Sequence, residues 1–276
     1  MLRNLDHTMS FREGQPKIAK LQLLQGIISS GLRVFETTQV KSLAETLQIP
    51  AASVLTLIHR LVQDGWLIPI KRGVYQLSQT TGVSPIHEFE IVMHVVKPAM
   101  ISYYSAFYHH GLTEQVPRVV YVTTVKESST PQVGRLGRSV GFNFNEIDYQ
   151  IVRLKKEKFF GWLQAWRGES AFLISDLERT LIEGFASPQY CGGFSEVIHG
   201  LEEALERISL ERLIDYALCW DVAVARRVGW ALAQLGIKNE QTLTLVQSQH
   251  PGFRLLDPSQ PMQGSYSHPW KLRINI

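Results

Sequence analysis

Within ASVLTLIHRLVQDGW the apolar residues Val54, Leu55, Ile58, Leu61 and Val62 recur at spacings of three and four, which predicts a helix with one inward face. Its other face carries Ala51, Ser53, Thr56, His59, Arg60 and Gln63, with no acid before Asp64. Pro50 suits a first helical turn and Gly65 suits the stop. Upstream, VKSLAETLQI predicts a shorter helix turned inward at Val40, Leu43, Ala44 and Leu47, separated from the next by Gln48-Ile49-Pro50. Before it, KIAKLQLLQGIISSG predicts a first helix facing inward through Ile18, Leu21, Leu24, Ile27 and Ile28. Downstream the period changes to two. Strands Trp66 to Ile70 and Val74 to Leu77 are joined by Lys71-Arg72-Gly73, where Gly73 supplies the positive φ of a tight turn.

After Leu77, SQTTGVSP reads as a linker, rich in Ser, Thr and Gly. PAMISYYSAFYHHGL then predicts a helix, with Ile101, Tyr104, Ser105 and Tyr108 on one face. Strands follow at Arg118–Val125, at Phe142–Leu154 with one break, and at Ala171–Ser175. From there the pattern is helical: Asp176–Ala186, Phe194–Arg207, Leu210–Cys219, Asp221–Leu235 and Gln241–Gln247. Ser175 and Glu178 have the spacing of a capping box at the first of these helices. The fold class expected is α+β. A winged helix-turn-helix over residues 1–80 precedes a larger mixed α+β domain over 85–276, whose helices gather toward the C-terminus.

The order helix, helix, short turn, helix, hairpin motivates the winged reading. A helix fits the ~12 Å major groove, the shorter helix braces it, and a hairpin reaches the backbone beside it. Ser53, Thr56, His59 and Arg60 are then the groove-contact candidates. Arg60 suits a guanine or a phosphate, and Lys71 and Arg72 suit phosphates at the hairpin tip. Charge distribution agrees: residues 1–85 hold nine Lys/Arg against five Asp/Glu, and 117–158 hold eight against four. The second excess contains Arg135, Arg138, Arg153, Lys155, Lys156 and Lys158, either a second nucleic-acid surface or a solvated basic face.

With 276 residues, 45% hydrophobic and 19% charged, the chain has material for folded cores. No apolar run approaches the ~20 residues of a membrane helix, and the polar start lacks a secretory apolar core. Cys191 and Cys219 form no paired spacing, so a reduced, cytoplasmic protein without membrane contact is expected. Chemistry is not advertised. His109-His110, and His87 with His94 beside Glu88 and Glu90, match no metal spacing. Nucleophile-elbow, P-loop and dinucleotide glycine motifs are absent. The chain is therefore read as a non-enzyme with no cofactor and no metal.

Four segments resemble the AbiE-type (AbiEi) abortive-infection antitoxins. They are ISYYSAFYHHGLTEQVPRVVYVTT from Ile101, SDLERTLIEGFASPQYCGG from Ser175, ARRVGWALAQLG from Ala225 and LDPSQPMQGSYSHPWKLRIN from Leu256. Leu177 departs from the family, where proline is frequent. The resemblance implies an antitoxin of a type IV toxin–antitoxin system in phage defence. Such a protein is also a repressor that binds an inverted repeat of operator DNA in its own promoter. The functional partner implied is a nucleotidyltransferase-like toxin, opposed without a required stable complex. The antitoxin action belongs to the second domain and operator binding to the first. The alternative is a protein-interaction module that neutralises a partner by direct docking, its winged helix being architectural.

Overall fold

A computed structural model describes residues 10–125, 135–136, 139–237 and 252–276, with side chains described from 18 in the first helix and from 141 after the 126–140 stretch. The chain divides into two compact units. Met1–Val95 with Arg167–Ser170 form one, and Val96–Trp166 with Ala171–Ile276 form the other.

In the first unit α1 (Ser10–Ser29), β1 (Val34–Glu36), α2 (Thr37–Thr46), α3 (Ala51–Gln63), β2 (Leu67–Lys71), β3 (Val74–Leu77) and α4 (Glu88–Val95) follow one another. The strands form an antiparallel sheet of order β1-β3-β2. The helices enclose a core that includes Leu23, Leu24, Ile27, Phe35, Val40, Ala44, Val54, Leu57, Ile58 and Leu61. Two expected inward faces are turned. In α1, Leu23, Leu24 and Ile27 are buried, whereas Ile18 is 58% exposed and Leu21 and Ile28 are also exposed. The run LQLLQGII is apolar nearly all round, so period alone leaves two stripes, and packing on α2 and α3 selects one. In α3, Leu57 takes the inward place expected for Leu55, which is 56% exposed. The 78–85 stretch is not a free linker, because the Arg33 guanidinium donates to the Ser84 and Pro85 carbonyls at 3.0 and 2.9 Å.

The second unit contains β4 (Met100–Ile101), α5 (Tyr103–His109), β5 (Val119–Val125), β6 (Arg135–Leu136), β7 (Ser139–Phe144), β8 (Ile147–Leu154), β9 (Trp162–Arg167) and β10 (Ser170–Ser175). Their sheet has seven strands in the order β6-β7-β8-β5-β4-β10-β9. β5 and β8 are parallel from Val119↔Asp148 to Val125↔Leu154. The break expected within 142–154 is a hairpin turn at Asn145-Glu146, both at positive φ (49° and 64°), the geometry that matches strand twist. Four helices follow: α6 (Leu177–Ala186), α7 (Phe194–Ala204), α8 (Leu210–Trp220) and α9 (Val222–Gln234). Gln241–Gln247, expected as a helix, lies outside the described residues.

The C-terminal segment adds a small sheet of β11 (Arg254–Leu255), β13 (Leu272–Ile274) and β12 (Ser265–Ser267), in that spatial order. Trp270 is buried against α9, where a Cβ on Gly229 would lie 2.1 Å from the indole. Among the described residues no helix is long and apolar enough to cross a membrane.

Candidate nucleic-acid interface

The connection from α2 to α3 is fixed by backbone geometry. Gln48 adopts φ 58°, and the amide of Ile49 donates to the Ala44 carbonyl while that of Gln48 donates to Glu45. This is a Schellman ending with glutamine in the left-handed place usually given to glycine, and Ile49 is buried beneath it. The short, rigid turn sets the direction of α3. Its outer face then presents Leu55, Thr56, His59, Arg60 and Gln63, all exposed, with Ser53 half-buried. Leu55 is the addition that sequence reasoning missed. It stands about 60° further round the helix than Ile58, at the margin of the apolar face, and packing leaves it outside.

Asp64 is the one carboxylate at the end of this helix, and the Lys20 ammonium is bonded to it. The hairpin tip is also anchored. Gly73 sits at φ 81° and its carbonyl accepts from the Thr37 amide at 2.8 Å, tying the turn to the start of α2. Lys71 pairs with Val74 across the strands, so the turn has two residues, Arg72 and Gly73, rather than the expected three.

The two tip cations part company here. Arg72 is exposed, whereas the Lys71 ammonium donates to the Val95 carbonyl at 2.6 Å. Val95 is the last residue of α4, and a cation on a helix's final carbonyl satisfies an orphan acceptor and complements the dipole. Lys71, expected at a phosphate, is instead spent on α4. Lys41, Arg60 and Arg72 are exposed, and none of them pairs with a carboxylate among the described residues.

The second basic region contracts in the same way. Lys158 bonds Asp221 at 3.1 Å with its ammonium 4.7 Å from the Trp220 ring centre, so it is committed inside its own unit. Arg153 is half-buried; Lys155 and Lys156 are exposed. The side chain of Arg135 and all of Arg138 lie outside the described residues.

Helix α6 carries charge of the opposite kind. The expected Ser175–Glu178 capping box does not form. Asp176 is the N-cap and accepts from the Arg179 amide at 2.8 Å, because it stands one residue nearer the first turn. Glu178 reaches away to the Ser209 amide at 2.7 Å, at the start of α8. Arg179 and Glu183 are fully buried and joined by two bonds of 3.2 Å, with the guanidinium between the rings of Phe160 (4.7 Å) and Trp220 (4.2 Å). The other Glu183 oxygen accepts from the amide of Tyr103, a residue held at φ 53°. Burial pushes the Glu183 carboxyl up and the Arg179 cation pulls it back. Burial, then the bond to Asp176, lifts the Tyr216 phenol to about 12. These groups brace α5, α6 and α8.

His110 is absorbed likewise. His110 Nε2 bonds the Ser175 carbonyl at 2.7 Å, and burial lowers its pKa. Among the described residues no three His, Cys, Asp or Glu side chains gather as metal ligands.

These features define a chain of mixed α+β class with several sheets. No family model matches it, and no curated protein matches it. A solved structure that is similar is the RV2827C protein from Mycobacterium tuberculosis. It is 13% identical with a TM-score of 0.59, over 92% of this chain and 90% of that one. At that identity the likeness concerns the fold alone.

Proposed function

We propose that the first unit is a winged helix-turn-helix that binds duplex DNA. In this reading α3 enters the major groove, the β2–β3 hairpin is the wing, and the chain represses transcription from its own promoter. The observation that carries the proposal is the acid-free outer face of α3 together with an exposed Arg72 that pairs with no carboxylate among the described residues. Cations kept in water without carboxylate partners are what a polyanion site requires. The anchored turn at Gly73 supports it further, since a wing must hold its charge at a fixed distance from the reading helix. Thr56, His59 and Arg60 are the groove candidates, Arg72 is the phosphate candidate, and Leu55 offers a methyl surface to thymine.

The second unit we assign to antitoxin action in a type IV toxin–antitoxin pair, on the resemblance of its segments to the AbiE-type antitoxins. The α6 segment of that resemblance is a buried brace, so its charges serve the fold and leave partner contact to other surfaces.

The test is fluorescence anisotropy of the full chain on its promoter duplex across a salt series. Binding that weakens linearly on a log–log salt scale is expected. Arg60→Ala should then cost about 1–3 kcal/mol on the preferred sequence and much less on an unrelated duplex. Equal affinity for both duplexes in the wild type, or no binding at low salt, overturns the operator reading. A separate growth assay, toxin with and without this chain, addresses the antitoxin part alone.

A further inference from the structure

Strand β9 ends the seven-stranded order beyond β10, so one side of its backbone has no neighbouring strand among the described residues. Proteins usually blunt such an edge with lysine, proline or a bulge, because an open strand recruits another. The stretch Trp162–Trp166, WLQAW, has no charge, proline or glycine. It is apolar and open: Trp162 is 51% exposed, Leu163 39% and Trp166 61%. Strand alternation places Trp162, Gln164 and Trp166 on one face. Among the described residues neither indole stacks on another ring or under a cation.

We propose that two copies of this chain associate through β9, paired antiparallel about Gln164. The sequence of the strand is nearly its own mirror, and that symmetry selects the occupant. A two-fold contact must be self-complementary. The register centred on Gln164 sets Trp162 opposite the second copy's Trp166, Leu163 opposite its Ala165, and the two Gln164 amides opposite each other. Cross-strand aromatic and apolar pairs are the units that stabilise a sheet. A slip of one residue breaks both indole pairs, setting Trp162 opposite Ala165 or Arg167 and Trp166 opposite Gly161 or Leu163, so the register is specified.

The area fits a reversible dimer. With about 250 Å² in a whole tryptophan, the two indoles leave roughly 280 Å² exposed on each copy. Adding Leu163 and Gln164, with every exposed part covered, sets a ceiling of about 900 Å² for the pair, the size of a weak, transient contact. The inference rests on this edge alone and is independent of the DNA-binding reading.

Sedimentation velocity on the full chain from about 1 to 100 µM should give a monomer–dimer equilibrium with a dissociation constant roughly in the micromolar range. Trp162→Ala and Trp166→Ala should each raise that constant about tenfold or more, with far-UV dichroism unchanged, since both side chains are exposed. In a Cys219→Ser background, which removes the exposed native thiol, Gln164→Cys should cross-link to itself under mild oxidation or with a short bismaleimide. Lys155→Cys should not. A chain that stays monomeric at the top concentration overturns the proposal. So does a dimer insensitive to both tryptophan substitutions, or Gln164→Cys cross-linking no faster than Lys155→Cys.

Discussion

Arg60 and Arg179 are the same side chain in opposite circumstances. Arg60 stands in water on α3 with no carboxylate partner among the described residues. Arg179 is fully buried on α6, bonded to Glu183 and enclosed by Phe160 and Trp220. A buried guanidinium is tolerated only when its desolvation is offset by a partner and by ring faces. An exposed one costs the fold nothing and contributes nothing to it. Arg179 thus shows charge that serves stability, and Arg60 charge left open to a ligand. The comparison yields predictions of descending size.

The largest effect should come from leaving one half of the buried pair without the other. Arg179→Ala or Glu183→Ala should cost about 3–5 kcal/mol in urea unfolding followed by tryptophan fluorescence, for which Trp220 beside the pair is a local reporter. A loss below about 1 kcal/mol would mean the pair is not a brace. Next is Gly229→Ala, which would drive a methyl to 2.1 Å from Trp270. Displacing the tail should cost about 1–3 kcal/mol, with the C-terminal segment cut faster by protease. Arg60→Ala, by contrast, should leave both measurements where they are.

A smaller effect follows from acid. His110 faces the Ser175 carbonyl, the Arg207 guanidinium, and the carboxylates of Asp176 and Glu178. Burial is the largest influence and lowers its pKa. The folded state thus resists protonation that the unfolded chain accepts near 6.5. Stability is at its full value above that pH and declines as pH falls below it, until the folded-state value is reached. His87 in the first unit is lowered too, again chiefly by burial, and adds to the same decline. His110→Gln should flatten part of the slope between pH 7 and 5. An unaltered slope would remove His110 from the account.

How legible the chain was depended on which contacts decide each feature. A β-branched run located β5, and apolar spacing with local starts and stops located β10 and α6 to α9, within a residue or three. The three-residue β1 was missed, being too short for a period, and β9 was missed because it is open on both faces. Leu21 and Ile28 were misplaced inward because the run LQLLQGII is apolar on two sides, and Leu55 because it borders the apolar face of α3; only the packing partner chooses in each case. At the candidate site, Thr56, His59, Arg60 and Arg72 were reachable from spacing. The fate of Lys71 and Lys158 was not, since Val95 and Asp221 lie 24 and 63 residues away and no local signal announces them.

That last point gives the finest test, within a single turn. Lys71 and Arg72 are adjacent cations and would look interchangeable as phosphate contacts. The Lys71 ammonium is held by the α4 carbonyl at Val95, whereas Arg72 is held by nothing among the described residues. If the hairpin meets DNA as proposed, Arg72→Ala should reduce the salt dependence of binding by about 0.9 in the log–log slope, the signature of one lost phosphate contact. Lys71→Ala should leave that slope nearly unchanged and instead destabilise the first unit by roughly 0.5–1.5 kcal/mol through the lost bond to α4. Equal loss of slope in both variants would mean that Lys71 releases Val95 on binding. Loss in neither would mean that the hairpin does not touch the phosphates at all.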